Sequence, residues 1–286
     1  MIRLALRVAR ADAEIALAEL LELAPGGVEE VDRGDTIEYA VYGAPGELPA
    51  LPALRAAVGA AFVDVTTSEV ADDWASRWRT FHRPVTIGER LRVRPPWADR
   101  PSAAGGLLDV VIDPGQAFGT GSHDTTRLCL EALLELAPGG PLVDLGCGSG
   151  VLAIAASKLG WAPVLGLDHE RESVAATCDN AAVNGVAVQA RHFDLLRDGP
   201  APAAPTVLAN LMRPLLLHVA AAGFAGAPPR ALVIGGLLGH EADEVAAAFA
   251  RRGLHERERR GRGEWAALTL AGPGSRGPRV RERRAS

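Results

Sequence analysis

The chain of 286 residues holds a single lysine, Lys158, although Lys and Arg together number 30. Every other basic side chain is Arg, which with heavy Ala and Pro use reads as GC-rich coding rather than as mechanism. Cysteine is scarce: Cys129, Cys147 and Cys178 are the three present, and none lies at C-x-x-C spacing. An odd, sparse count excludes a disulfide framework or a thiolate zinc site and fits a reducing compartment. No apolar run reaches the roughly 18–20 residues that span a bilayer. Asp12, Glu14, Glu19 and Glu22 fall where a signal peptide would carry its uncharged apolar core. A cytoplasmic chain with no membrane partner is therefore expected. Positive charge is also in deficit, with a formal net charge of −5. Duplex binders present a basic face to phosphate, so no direct nucleic-acid substrate is expected. The chain does have apolar residues, at 48 %, beside 23 % charged. That balance excludes a disordered chain. It supplies a core for one large domain or two smaller ones.

The hydropathy pattern divides the chain. Residues 2–8 (IRLALRV) alternate and read as a half-buried strand, and 11–23 have helical spacing ended by Pro25, Gly26 and Gly27. Strands are expected at 27–32 and 36–42 around the turn Arg33-Gly34-Asp35, then a short helix at 48–58 and a strand at 61–67. The order βαββαβ is that of a ferredoxin-like α+β sandwich. A linker helix is expected over 70–81, with Trp74, Trp78 and Phe81 on one face. Short strands follow at 85–93 around Gly88 and at 107–112. From Thr126 helices and strands alternate: helix 127–136, strand 142–145, helix 151–159, strand 164–167, helix 171–184, strands 188–191 and 207–209, helix 215–222, strand 232–235, helix 241–251 and strand 265–270. Such alternation specifies an α/β, doubly wound, mostly parallel sheet. The expected domains are 1–68, a linker over 69–84, 85–271, and a basic, disordered tail over 272–286.

The strongest local signal is Val143-Asp144-Leu145-Gly146-Cys147-Gly148-Ser149-Gly150, a strand that runs into three alternate glycines and then a helix. Glycines there let backbone approach a ligand closely. The dinucleotide fingerprint is G-x-G-x-x-G; here the third glycine comes one residue early. Asp144 would repel a pyrophosphate but suits a cation. S-adenosylmethionine carries an ammonium and a sulfonium and no phosphate, so the motif favours this methyl donor over NAD. Asp168 ends the next strand, 22 residues after Gly146, the offset at which an acid accepts ribose hydroxyls. Asp194 after the third strand is placed to accept an adenine amino group, or is a solvated turn residue. Asn210, in Asn210-Leu211-Met212-Arg213-Pro214, sits at the strand ends where open α/β sheets bind ligands. Its side-chain carbonyl could orient an amine nucleophile, and a structural cap is the plain alternative. Residues 113–126 (DPGQAFGTGSHDTT) could cap the following helix or fold over a ligand. His123 there has no second His or Cys at ligand spacing, so no metal site is expected.

These segments carry a resemblance. DPGQAFGTGSHDTT, VDLGCGSGVLAIAASKLG, GLDHERESVAATCDNAAVNGV and VLANLMRPLL are similar to the bacterial ribosomal protein L11 methyltransferase family, and DDWASRWRTFHRPVTIGERLRVRPPW to its linker. The resemblance spans residues 70–270. It implies a class I methyltransferase domain after a small substrate-recognition domain and a helical linker. It also implies methyl transfer from S-adenosylmethionine to the α-amine and lysine ε-amines of L11, free or on the ribosome, by a monomer. Carried over by motif, Thr126, Gly146, Gly148, Asp168 and Asn210 line the donor site with Asp144 and Asp194. Phe118, Gly119 and Thr120 belong to the loop that closes over it. Family members usually have Pro after the loop His, where this chain has Asp124. The alternatives are a protein-lysine methyltransferase of the same family acting on another protein, and a non-catalytic donor-binding module associated with the ribosome. Adenine methylation in nucleic acid fits less well, because the usual Pro-Pro-aromatic after the Asn is absent.

Overall fold

The computed structural model describes residues 2–13, 16, 20, 28–43, 62–69, 82–99, 106–114, 119 and 121–272. The chain divides into two compact units, Met1–Phe81 and His82–Ser286.

In the first unit four strands, β1 (Ile2–Ala9), β2 (Glu29–Asp32), β3 (Thr36–Gly43) and β4 (Phe62–Glu69), form one sheet in the order β2-β3-β1-β4. Every pair is antiparallel. This is the strand order of a ferredoxin-like sandwich. Alternation along β1 sends Leu4, Leu6 and Val8 into a core shared with Ile37, Tyr39 and the helical residues Ala13, Ala16 and Leu20. The helix expected at 48–58 and the linker helix at 70–81 lie outside the described residues.

The other face of that sheet carries charge. Glu38 is 2 % exposed. It accepts from Arg3 Nη2 at 2.8 Å, Arg7 Nε at 2.8 Å and Arg33 Nη2 at 3.1 Å. These bonds, with that from Arg3 largest, hold its carboxyl down at about 2. A depressed carboxylate adds stability above its unfolded value and loses it as pH falls through its folded one. The first unit should therefore lose on the order of 2 kcal/mol between about pH 4.5 and pH 2, after screening at the half-exposed guanidiniums. Hydrogen exchange of β1 and β3 amides in the full chain measures this. Glu38→Gln should flatten the pH dependence, and an unchanged slope would remove Glu38 as its source.

In the second unit seven strands form the sheet that carries the site: β8 (Leu142–Leu145), β9 (Val164–Asp168), β10 (Val188–His192), β12 (Thr206–Asn210), β14 (Ala231–Leu238), β15 (His255–Arg262) and β16 (Trp265–Ala271). Their order is β10-β9-β8-β12-β14-β16-β15. The first five are parallel and β16 runs antiparallel to both of its neighbours. Alternate residues feed two cores. Leu142, Val164, Leu208 and Val233 face α1 (Asp124–Glu135) and α2 (Val151–Leu159). Val143, Leu145, Leu167, Val207 and Ile234 face α4 (Arg213–Ala222) and α5 (Ala242–Ala250). Helix α3 (Arg171–Val183) packs beside β9 and β10. Strands β5 (Val85–Ile87), β6 (Leu91–Arg94) and β7 (Leu108–Val111) make a small sheet whose Ile87, Leu91, Val93 and Val110 complete the first core. A two-stranded pair, β11 (Ala201–Pro202) with β13 (Phe224–Ala225), lies apart from these sheets. Lys158 sits in the last turn of α2, the end away from the glycines.

Two of the differences from the sequence reading have a plain local cause. Helix α1 begins at Asp124, three residues before the expected start, because the His123 side chain caps it by accepting from the Thr125 N–H at 3.3 Å. Strand β15, HERERRGR, was not expected at all. It is the outermost strand, pairs on one side only and is mostly exposed. Charge at such an edge discourages further pairing, and it leaves no apolar alternation to read.

Candidate functional site

Strand order reverses between β8 and β12, and open α/β sheets bind ligands at the carboxyl ends of strands at such a point. Asp144 pairs in register with Gly166 and Leu208, and Asn210 with Gly235. With side chains alternating, Asp144, Asp168 and Asn210 project from one face of the sheet near its carboxyl edge. The sequence-expected residues on three strands are thus brought together.

The loop after β8 folds as its glycines require. Gly146, Gly148 and Gly150 have φ of 71°, 52° and 82°, a region that side chains other than glycine rarely enter. Gly146 N–H and Cys147 N–H both donate to Leu167 O, at 2.8 and 3.0 Å. Gly148 N–H donates to Asp168 Oδ2 at 2.9 Å, and Glu170 N–H to Asp168 Oδ1 at 3.0 Å. Asp168 therefore ties the glycine loop to the start of α3, and each carboxylate oxygen keeps lone-pair capacity for a ligand hydroxyl.

Asp144 is fully buried. Its Oδ2 accepts the Ala153 N–H at 3.2 Å, so the strand's own acid caps α2. Its Oδ1 has no hydrogen-bond partner. Burial pushes its pKa well up, and the charge of Asp168 adds to this. Burial also pushes the Cys147 thiol up to about 12 and the Cys129 thiol higher still. Neither is a nucleophile at neutral pH.

Asn210 Nδ2 donates to Thr125 Oγ1 and Thr126 Oγ1, each at 3.4 Å. Thr125 Oγ1 lies 2.8 Å from His123 Nδ1, and the His123 ring packs edge-on against Trp265. The two hydroxyls fix which way the amide points, and Asn210 Oδ1 is buried with no partner. Thr126, expected to line the donor site, is 1 % exposed and holds Asn210 from behind. His123 caps helix α1 through its Nδ1.

Asp194 lies in a turn. Its Oδ1 accepts Leu196 N–H at 2.9 Å, and its Oδ2 is 3.4 Å from Arg197 Nε. Phe118 and Thr120 lie outside the described residues.

Sequence reading missed Gly235 and Gly236, placing the strand's end at the first of them. The strand runs on to Leu238 through a bulge, where its register to β16 shifts between Ile234 and Leu237. A Cβ on Gly235 would stand 2.4 Å from Cys129 Sγ and 3.0 Å from Asn210 Oδ1. On Gly236, at φ 75°, it would stand 2.5 Å from Leu211 O and 2.8 Å from Leu211 C. The backbone that carries Asn210 crosses over this bare strand. A glycine pair inside a strand pattern was the available signal. Gly236→Ala should cost about 3 kcal/mol or more, from a left-handed backbone plus overlap with main chain. Gly185→Ala is the control, because Gly185 has φ 63° with open space around it. Denaturant midpoints of the two variants separate overlap from backbone strain. Equal losses would show that the close approach is unimportant.

Comparison with known proteins agrees with this geometry. Residues 52–272 match the family Ribosomal protein L11 methyltransferase. A ribosomal protein L11 methyltransferase of Bordetella parapertussis is 39 % identical over 260 residues, which cover 78 % of this chain and 83 % of that protein. One from Ralstonia pickettii is 37 % identical over 273 residues, covering 86 % and 90 %. The crystal structure of a ribosomal protein L11 methylase from Lactobacillus delbrueckii subsp. bulgaricus aligns with a TM-score of 0.59 at 25 % identity, over 67 % of this chain and 98 % of that one. With its sheet order and glycine loop, the chain belongs to the ribosomal protein L11 methyltransferase family.

Proposed function

We propose that this chain is a protein N-methyltransferase that moves methyl groups from S-adenosylmethionine to the α-amine and lysine ε-amines of ribosomal protein L11. One observation carries the reading. Among the described residues, two side-chain oxygens at the carboxyl edge of the sheet, Asp144 Oδ1 and Asn210 Oδ1, are buried and have no partner. They stand on the two strands flanking the point where strand order reverses. Such oxygens are costly unless a donor meets them. An ammonium-bearing methyl donor suits the first and an acceptor amine the second.

Roles follow residue by residue. Asp144 receives the donor's ammonium, Asp168 its ribose hydroxyls and Asp194 its adenine amino group. Gly146 and Gly148 admit the donor to the loop backbone, with Phe118 and Thr120 over it. S-adenosylmethionine supplies a methyl carbon already activated by its sulfonium. The protein's contribution is then proximity and alignment. An amine attacks only when neutral, and a free lysine has a pKa near 10.4 against about 7.7–8.0 for an α-amine. A dry pocket lowers the lysine value. Asn210 Oδ1 accepts one N–H of the neutral amine and leaves its lone pair facing the methyl group, so no strong base is required.

Residues 1–68 recognise L11, 69–84 link, 85–271 catalyse and 272–286 form a basic tail. The chain acts in the cytoplasm as a monomer, on L11 free or on the ribosome. Among the described residues no helix is long and apolar enough to cross a membrane.

Intact-mass spectrometry tests the proposal. L11 from the same source, incubated with the chain and S-adenosylmethionine, should gain mass in steps of one methyl group. Peptide mapping should place those groups on the α-amine and on lysines. Donor binding without any gain on L11 would overturn the substrate.

A further inference from the structure

Helix α3 carries a buried polar stripe. Thr177, Asn180 and Asn184 recur at i, i+3 and i+7, on one helix face. Thr177 and Asn180 are 0 % and 4 % exposed. Buried polar side chains are unfavourable unless bonded, and every one of these is bonded to backbone outside its helix. Thr177 Oγ1 donates to Gly148 O at 3.0 Å. Asn180 Nδ2 donates to Ser149 O at 2.9 Å, while its Oδ1 accepts the Asp113 N–H at 3.0 Å. Asn184 accepts from Val111 N–H at 2.9 Å and donates to Val111 O at 2.6 Å. Ser149 Oγ, itself fully buried, donates to Gly119 O at 2.6 Å.

The stripe thus does two different things. Asn184, the C-cap, joins α3 to strand β7 at Val111 and donates within its own helix end to Asn180 O at 2.8 Å. Asn180 spans two backbones with one amide: the glycine loop at Ser149, and the chain leaving β7 at Asp113. Through Ser149 the same loop also grips Gly119. Among these contacts, Asn180 is the side chain that bonds both to the glycine loop and to the chain leaving β7.

We propose that Asn180 is a positioning residue for the methyl-donor site, holding the glycine loop at Ser149 in register with the chain that leaves β7 at Asp113. The inference rests on the donor reading given above. It adds a determinant of donor affinity in the middle of a helix, at a side chain that acts through the loop it holds.

The test compares full-length wild type, Asn180→Ala, Asn180→Asp and Asn184→Ala. Calorimetry reads the Kd for S-adenosylhomocysteine, steady-state kinetics reads KM and kcat for the donor, and melting reads stability. Losing the bonds that fix a binding loop should weaken affinity about tenfold, the effect of one or two net hydrogen bonds. Asn180→Ala should therefore raise the Kd about tenfold and raise KM by more than it lowers kcat. Asn180→Asp keeps the acceptor for Asp113 but sets a carboxylate oxygen against Ser149 O, so it should weaken binding at least as much. It also serves if the alanine variant does not fold. Asn184→Ala should lower the melting temperature to a similar degree and leave the Kd within about twofold, since its bonds never reach the loop. Equal effects of Asn180→Ala and Asn184→Ala on Kd, or no effect of either Asn180 variant, would overturn the inference and leave the donor reading intact. Wild type that fails to bind S-adenosylhomocysteine would overturn both.

Discussion

Asn210→Ala should cut methyl transfer to L11 by about two orders of magnitude, the scale on which lost alignment of reacting groups acts, while donor affinity changes only a few-fold. The asymmetry comes from where the amide's bonds go. Its Nδ2 is spent on Thr125 and Thr126. The Oδ1, buried with no partner, is the half left for an acceptor amine. Removing the side chain deletes that acceptor and disturbs none of the bonds that hold the glycine loop. Asn210→Asp makes a sharper comparison. It restores an oxygen where Oδ1 stood and replaces the Nδ2 donor by an acceptor facing two hydroxyls that can turn to donate. Part of the rate should return, with a stronger pH dependence because a carboxylate now titrates in the site. Single-turnover rates at saturating donor, with calorimetric donor binding alongside, read both quantities. Equal losses of rate and donor affinity would show that Asn210 belongs to the donor's pocket and does not orient the amine.

Asp168→Ala should act the other way round, with donor affinity falling by at least about 100-fold. A carboxylate that accepts two ligand hydroxyls is worth that much when each charge-assisted bond contributes about 1.5–3 kcal/mol. The structure adds a second reason. Asp168 already accepts the N–H groups of Gly148 and Glu170, so the alanine variant also releases the glycine loop. Asp168→Asn separates the two contributions. One amide oxygen can still accept one backbone N–H, and the NH2 confronts the other. Its affinity should lie between wild type and alanine, and its melting temperature nearer to alanine. Equilibrium dialysis with S-adenosylhomocysteine measures the first, and thermal unfolding the second. Wild-type affinity in Asp168→Ala would remove the ribose contact and the loop tie together.

The place of Asp168, at the end of β9 beside the glycine loop, was legible because two regularities coincide there, a strand end and a fixed offset from that loop. Helix α2 was legible to the residue, since the third glycine marks its start and Gly160 its stop. Most of the large sheet could be read because four of its parallel strands, β8, β9, β12 and β14, are apolar on both faces. Where that condition fails, reading fails: β15 is charged throughout and half-paired. Other residues were illegible for a different reason. His123 is not among the preferred cap types, so the sequence offered a cap within 113–126 without pointing to His123. Asn180 looks in sequence like any polar residue near a helix end. Only its distances to Ser149 and Asp113, residues far from it along the chain, separate it from a solvated one. Gly235 and Gly236 were visible as a pair, but their purpose lies in the chain that crosses them at Leu211.

Lys158 takes on a meaning beyond coding bias once the site is placed. It lies seven residues along α2 from Val151, which at 1.5 Å per residue is about 10 Å from the loop that faces the donor. On the proposed function, an enzyme that accepts lysine ε-amines is surrounded, at working concentration, by copies of itself. A surface rich in lysine would make each copy a competitor for the pocket of the next. This chain carries its surface charge on arginine, whose guanidinium stays protonated and so offers no free lone pair. Its one ε-amine, that of Lys158, lies at the far end of a helix from that loop. On the proposed lysine specificity, its own side chains offer self-methylation no other site than Lys158.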